Sequence, residues 1–224
     1  MRVLLVAATQ PEIGLLISDF GFSISDLAMP TVYSLPTPNS QLTTLITGVG
    51  MVATAFSLGQ HLATHQYDLA INFGIAGSFD RSIALGEVVE VVEDSLSELG
   101  AEDDEDFLSI EKLGFGESHF KPSARLYDFG ITHIRQVNAI TVNTVHGNER
   151  SIEKLSTRIQ PQLESMEGAA FFYACKQAGL PCLQIRAVSN YVEKRNRDAW
   201  QIGLAIKNLN SFAVEFLKKV LRNT

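Results

Sequence analysis

The stretch "IRAVSNY" (185–191) is an apolar run that stops in two small polar residues, Ser189 and Asn190. An amide at such an end offers two N–H donors and one acceptor, so it can hold and polarise a ligand but cannot surrender a full proton. Two carboxylates accompany it. Glu12 follows Pro11 in "TQPEIG", and Glu167 stands beside Met166 in "SMEGAA", each where a helix-length segment begins. A carboxylate there complements a helix dipole or, in a cleft, acts as a general base. Glu167 also suits accepting two hydrogen bonds from vicinal hydroxyls, which is what holding a ribose demands. Glycines in "TGVG" (47–50) and "FGIAG" (73–77) allow close backbone approach to a ligand. Neither is GxGxxG or GxxxxGK[ST], so a dinucleotide or triphosphate cradle has little support.

These residues fall at the ends of apolar runs. Strands are expected at 3–8, 42–48, 69–74, 86–92, 138–144 and 182–188, several of them apolar on both faces as a helix-covered sheet requires. Helices are expected at 51–66, 166–178 and 199–221, with apolar residues three and four apart, and a short strand-like piece at 159–165. The alternation implies one α/β domain over 1–224, a three-layer sandwich with a central mixed, largely parallel sheet flanked by helices. Ligands of such sheets collect at the carboxyl ends of the strands, where the four stretches above lie. The acidic run 98–107 reads as a solvated loop.

Composition narrows the function. With 18 Lys and Arg against 25 Asp and Glu the net charge is −7, and no basic stripe breaks it, so nucleic acid and anionic membrane are not expected partners. A small molecule is. Cys175 and Cys182 lie in apolar segments without metal-ligand spacing and read as reduced packing residues of a cytoplasmic protein. The opening run is too short for a membrane span and reads as a strand. His61 and His65 are spaced i, i+4 without a third ligand in view, so no metal is expected, and nothing calls for a cofactor.

Taken together, "AATQPE", "TGVG", "NFGIAGS", "SMEGAA" and "RAVSNY" resemble the nucleoside phosphorylase and nucleosidase superfamily that includes 5′-methylthioadenosine nucleosidase. The resemblance covers essentially the whole chain and implies a nucleoside phosphorylase-like fold, an N-glycosidic bond as target, and a homo-oligomer, dimer or higher. It implies Glu12 as the carboxylate that activates water, Met166 and Glu167 as the ribose clamp, and Asn190, with Ser189, at the purine. Gly50, Ile75, Ala76 and Gly77 would line the site through backbone, and Val145 and His146 would stand where adenine nucleosidases carry a Phe-hydrophobic pair beside the base. Trp200 would wall the 5′ side, with Arg195 or Arg197 able to pair a carboxylate on the substrate. Adenine nucleosidases that resemble this chain carry Asp where it has Asn190, so the amide favours a 6-oxopurine. The first loop has no basic residue, Asn72 stands where a phosphorylase would want arginine, and Arg81 is expected on the surface, which favours water over phosphate. A 6-oxopurine phosphorylase and a non-catalytic nucleoside-binding protein remain as alternatives.

Overall fold

The computed structural model describes residues 1–21, 23–26, 31–36 and 41–222. In chain order its elements are β1 (Arg2–Ala7), α1 (Gln10–Phe20), β2 (Ser23–Asp26), β3 (Thr31–Pro36), β4 (Gln41–Ile46), α2 (Met51–Leu62), β5 (Leu69–Ser78), β6 (Val88–Leu96), β7 (Gly100–Asp103), β8 (Asp106–Ser109), β9 (His119–Phe120), β10 (Arg135–Thr141), α3 (Glu149–Arg158), β11 (Leu163–Ser165), α4 (Gly168–Gln177), β12 (Cys182–Tyr191) and α5 (Ile202–Arg222).

β1 shows why the layers form. Alternate residues of a strand point to opposite faces, and both faces of β1 are apolar. Val3, Leu5 and Ala7 pack with Leu16 and Ile17 of α1 and Phe216 and Leu217 of α5. Leu4 and Val6 pack with Leu58 of α2 and Phe171 and Phe172 of α4. The sheet between is therefore covered on both sides. Its central strands β4, β1, β5 and β12 run parallel to one another, so their carboxyl ends share one edge, while β6, β3 and β2 add antiparallel pairings.

The sheet then curls on itself. From β12 it continues through β6 and β10 to β11, and β11 pairs back onto β5 in antiparallel register, Leu163 with Ser78 and Glu164 with Gly77. The closed ring of β5, β12, β6, β10 and β11 brings the segment before α4 against the ends of β5 and β12.

The run 98–107 is a hairpin and not a solvated loop, because β7 and β8 pair across a two-residue turn in which Asp104 takes a left-handed φ of 54°. Aspartate tolerates that conformation, and Ala101, Phe107 and Leu108 give the strands partly buried side chains beneath the acidic ones. The two cysteine side chains are buried and free. No helix of the described residues is long and apolar enough to cross a membrane.

Candidate active site

At the carboxyl ends of the parallel strands lies a cavity of about 400 Å³, within the range of small-molecule sites. Its lining draws on six segments of the chain that meet only in the fold.

Glu12 enters from the first turn of α1. Its Oε2 accepts from the Thr9 N–H at 2.8 Å and the Thr9 hydroxyl at 2.9 Å, and Oε1 accepts from the Ile75 N–H at 3.2 Å. The reach back to the residue that starts the helix is one half of a capping box. Burial raises the Glu12 pKa above its usual value; nearby Arg186 opposes the shift and Glu167 adds to it. The helix bends directly after it. Asn210 of α5 donates from Nδ2 to the Glu12 carbonyl at 2.8 Å and accepts the Leu16 N–H on Oδ1 at 2.9 Å, so one side-chain amide replaces the helical bond between residues 12 and 16. Ile13 accordingly leaves helical geometry, with φ −129° and ψ 17°.

Glu167 is the residue that precedes α4, one position earlier than a first-turn placement. Its Oε1 accepts the Gly50 N–H at 3.0 Å, and its Oε2 lies 3.8 Å from Nη1 of Arg186. Gly50 thus holds Glu167 and does not line the cavity. Arg186 is 1% exposed in the middle of β12, where a charge survives only if it is compensated. Nη2 donates to Asn72 Oδ1 at 2.6 Å and Nε to Gln184 Oε1 at 2.8 Å, while Gln184 donates on to Asp94 at 3.0 Å. Gly74 makes room for this: a Cβ there would lie 1.9 Å from Nη1 of Arg186 and 3.1 Å from a Glu12 oxygen. The guanidinium that offsets Glu12 and Glu167 is a charge the sequence analysis did not single out. Arg81 lies outside the cavity, paired with Glu193 and stacked on Tyr191. A lone arginine inside an apolar strand was the available signal.

Asn190 reaches the cavity through a β-bulge. The register of β12 against β5 slips between Val188 and Asn190, a device that re-aims a side chain at the end of a ladder. Nδ2 donates to the Tyr191 carbonyl at 3.1 Å, and the Ser189 hydroxyl lies 2.8 Å from Oδ1 and 3.1 Å from the Ala76 carbonyl. One N–H of the amide remains for a ligand. Ile75, Ala76, Gly77, Val145, His146, Met166, Ser189, Trp200 and Arg195 also line the cavity. Arg197 does not; its guanidinium is 6.0 Å from the Trp200 ring, against 5.1 Å for Arg195. Glu164, unremarked in sequence, lines the cavity and accepts from Nδ1 of His146 at 2.7 Å.

Residues 31–222 match the family model described as the phosphorylase superfamily. The chain belongs to the phosphorylase superfamily. Within it the chain stands among the nucleosidases. It is 35% identical to the futalosine hydrolase of Streptomyces coelicolor over 187 residues, 80% of this chain and 79% of that one. The fold is shared with the futalosine hydrolase of Helicobacter pylori, at a TM-score of 0.83 and 15% identity over 100% of this chain and 98% of the other. It is equally shared with a 5′-methylthioadenosine/S-adenosylhomocysteine nucleosidase from Colwellia psychrerythraea bound to adenine, at a TM-score of 0.83 and 20% identity over 98% and 95% of the two chains.

Two further cavities flank β7, β8 and α3, one of about 480 Å³ lined by Lys112, Lys154 and Arg158, but neither contains Glu12, Glu167 or Asn190. Among the described residues no group of His, Cys, Asp or Glu has the arrangement of a metal site. His61 instead bonds the Tyr67 hydroxyl at 2.7 Å and stacks on His65, and burial holds its pKa down at about 4.

Proposed function

We propose that this chain hydrolyses the N-ribosidic bond of futalosine, giving hypoxanthine and dehypoxanthine futalosine as a step of menaquinone biosynthesis in the cytoplasm. The observation that carries the reading is the convergence of Glu12, Glu167 and Asn190 on one cavity, with an amide at the position facing the base.

In this reading the purine lies over the backbone of Ile75, Ala76 and Gly77, beside Val145 and His146. The ribose packs on Met166 and gives its 2′- and 3′-hydroxyls to Glu167. Glu12 takes a proton from water as the oxygen attacks C1′, and its raised pKa makes it a stronger base than an ordinary carboxylate. The bond from C1′ to N9 breaks and its electron pair passes into the purine, which takes a proton from solvent once free while Glu12 gives up the one it accepted; in the transition state negative charge grows at N7 and O6. The free N–H of Asn190 donates there, where an aspartate would repel O6. Trp200 walls the 5′ side, and Arg195 pairs with the carboxylate of the aryl substituent.

Water is favoured over phosphate by the charge balance. Arg186 is buried, bonded to Asn72 and Gln184 and close to Glu167, so its charge is already compensated. Arg195 is the one Arg or Lys in the cavity lining among the described residues. A homo-oligomer is supported by the exposed apolar face of α2, where Val52 and Phe56 are 77% and 68% exposed. Purified protein incubated with futalosine, inosine and methylthioadenosine, with and without phosphate, tests the assignment. Release of hypoxanthine from futalosine at the same rate in both conditions is expected. Phosphate-dependent release with a sugar 1-phosphate as product would overturn it.

A further inference from the structure

Asn190, Gly77 and Glu164 form one row across three strands: β12 sets Asn190 opposite Gly77, and β11 sets Glu164 opposite the same residue. Gly77 has no side chain to keep them apart. A Cβ there would stand 3.1 Å from Nδ2 of Asn190 and 3.5 Å from Cγ of Glu164, so the two side chains converge on one side of the strand. Whatever lies over Gly77 and meets the Asn190 amide is flanked on the other side by Glu164 and its partner.

That partner is His146. Glu164 is 3% exposed and engages it twice, accepting its backbone N–H on Oε1 at 3.0 Å and contacting Nδ1 through Oε2 at 2.7 Å. Burial raises the Glu164 pKa, and the bond from His146 is the largest effect opposing that rise. A carboxylate is an acceptor only, so Nδ1 carries the proton of this bond, and a ring protonated there alone keeps a lone pair on Nε2. Nε2 makes no hydrogen bond among the described residues, and the ring lines the cavity.

We propose that Glu164 and His146 form a second reader of the base, with Nε2 of His146 accepting the N1–H of a 6-oxopurine lactam and Glu164 fixing the tautomer that makes it an acceptor. The chemistry complements Asn190. The amide donates to the O6 and N7 side, and the imidazole accepts from N1, the donor–acceptor order of hypoxanthine and guanine. Adenine has a lone pair at N1 and would meet that of Nε2. His146 touches the ligand; Glu164 is a positioning residue that acts through it. The assignment rests on the placement of the purine proposed above.

Calorimetric binding of free hypoxanthine and of 1-methylhypoxanthine, which lacks the N1–H, isolates this contact without requiring turnover. Wild-type protein should prefer hypoxanthine by at least about tenfold, as expected for one buried hydrogen bond. His146→Ala should bring the ratio close to one by weakening hypoxanthine. Glu164→Gln keeps the ring in place but frees its tautomer, so it should also reduce the ratio; a merely steric effect of the methyl group would leave the Glu164→Gln ratio at the wild-type value and overturn the proposal. An unchanged ratio in His146→Ala, or no binding of hypoxanthine by the wild type, overturns it equally. Discrimination at N1 in a protein that leaves futalosine intact would refute the hydrolase reading and keep the dyad.

Discussion

Nη1 of Arg186 stands 3.8 Å from Oε2 of Glu167, and both side chains are almost wholly buried. The ion pair joins the middle of β12 to the start of α4, and the charge of Arg186 acts on Glu12 as well. Two buried carboxylates are tolerated here because the charge of one cation acts on both.

Arg186→Met removes that cation and leaves Glu12 and Glu167 uncompensated. Denaturant unfolding should show a loss of about 3–5 kcal/mol, the usual cost of breaking a buried pair from one side. In whatever fraction stays folded, the Glu12 pKa rises further, since Arg186 is the largest influence lowering it. A general base works only when ionised, so the acid limb of kcat/KM should move to higher pH than in the wild type. A limb that stays in place would show that Glu12 does not feel Arg186.

Asn210→Leu tests how Glu12 is aimed. Leucine is close in size but cannot bridge the Glu12 carbonyl and the Leu16 N–H, so the first turn of α1 should relax toward regular helix and carry the Glu12 carboxylate away from its place. A fall in kcat of tenfold or more with a KM changed less than threefold is the expected split. Equal losses in both constants would point to general damage to the cavity.

Asp94 gives a pH dependence of stability. It is fully buried, and desolvation lifts its pKa to about 6, against the bonds from Gln184 and Thr141 and the charge of Arg186. The unfolded chain releases this proton near 3.8. Between those values the folded state binds more protons, so the Asp94 contribution to stability falls as pH rises from about 4 to about 6. Asp94→Asn lacks the titration. Whatever its fixed offset, its stability relative to wild type should climb across that window, by on the order of 2–3 kcal/mol, and level off above it. A difference constant from pH 4 to 7 would place the Asp94 pKa at its ordinary value.

The central strands and the two carboxylates were legible because their signals are local. β1, β4, β5 and β12 are apolar runs, and Glu12 and Glu167 sit beside a proline and a glycine that mark helix starts. The features that complete the site are long-range. Closure of β11 onto β5 is fixed by pairing between residues 87 positions apart, Glu164 with Gly77. Arg186 shows the same limit: its partners Asn72, Gln184 and Glu167 come from three places in the chain, and only the fold reveals that the charge is satisfied. Asn210 lies mid-helix, where an amide reads as surface until α1 is packed against it. The hairpin at 100–109 was hidden by its own acidic side chains, which mask a short strand pattern.

Asn190 holds the claim that the site was built for a 6-oxopurine, and the ratio of kcat/KM for futalosine to that for methylthioadenosine, in wild type and in Asn190→Asp, measures it. The wild-type ratio should lie strongly toward futalosine. The aspartate should lower it by at least about tenfold, through repulsion at O6 and a proton offered to N7 of adenine. A ratio unchanged by the substitution would show that the amide at the end of β12 does not read the base.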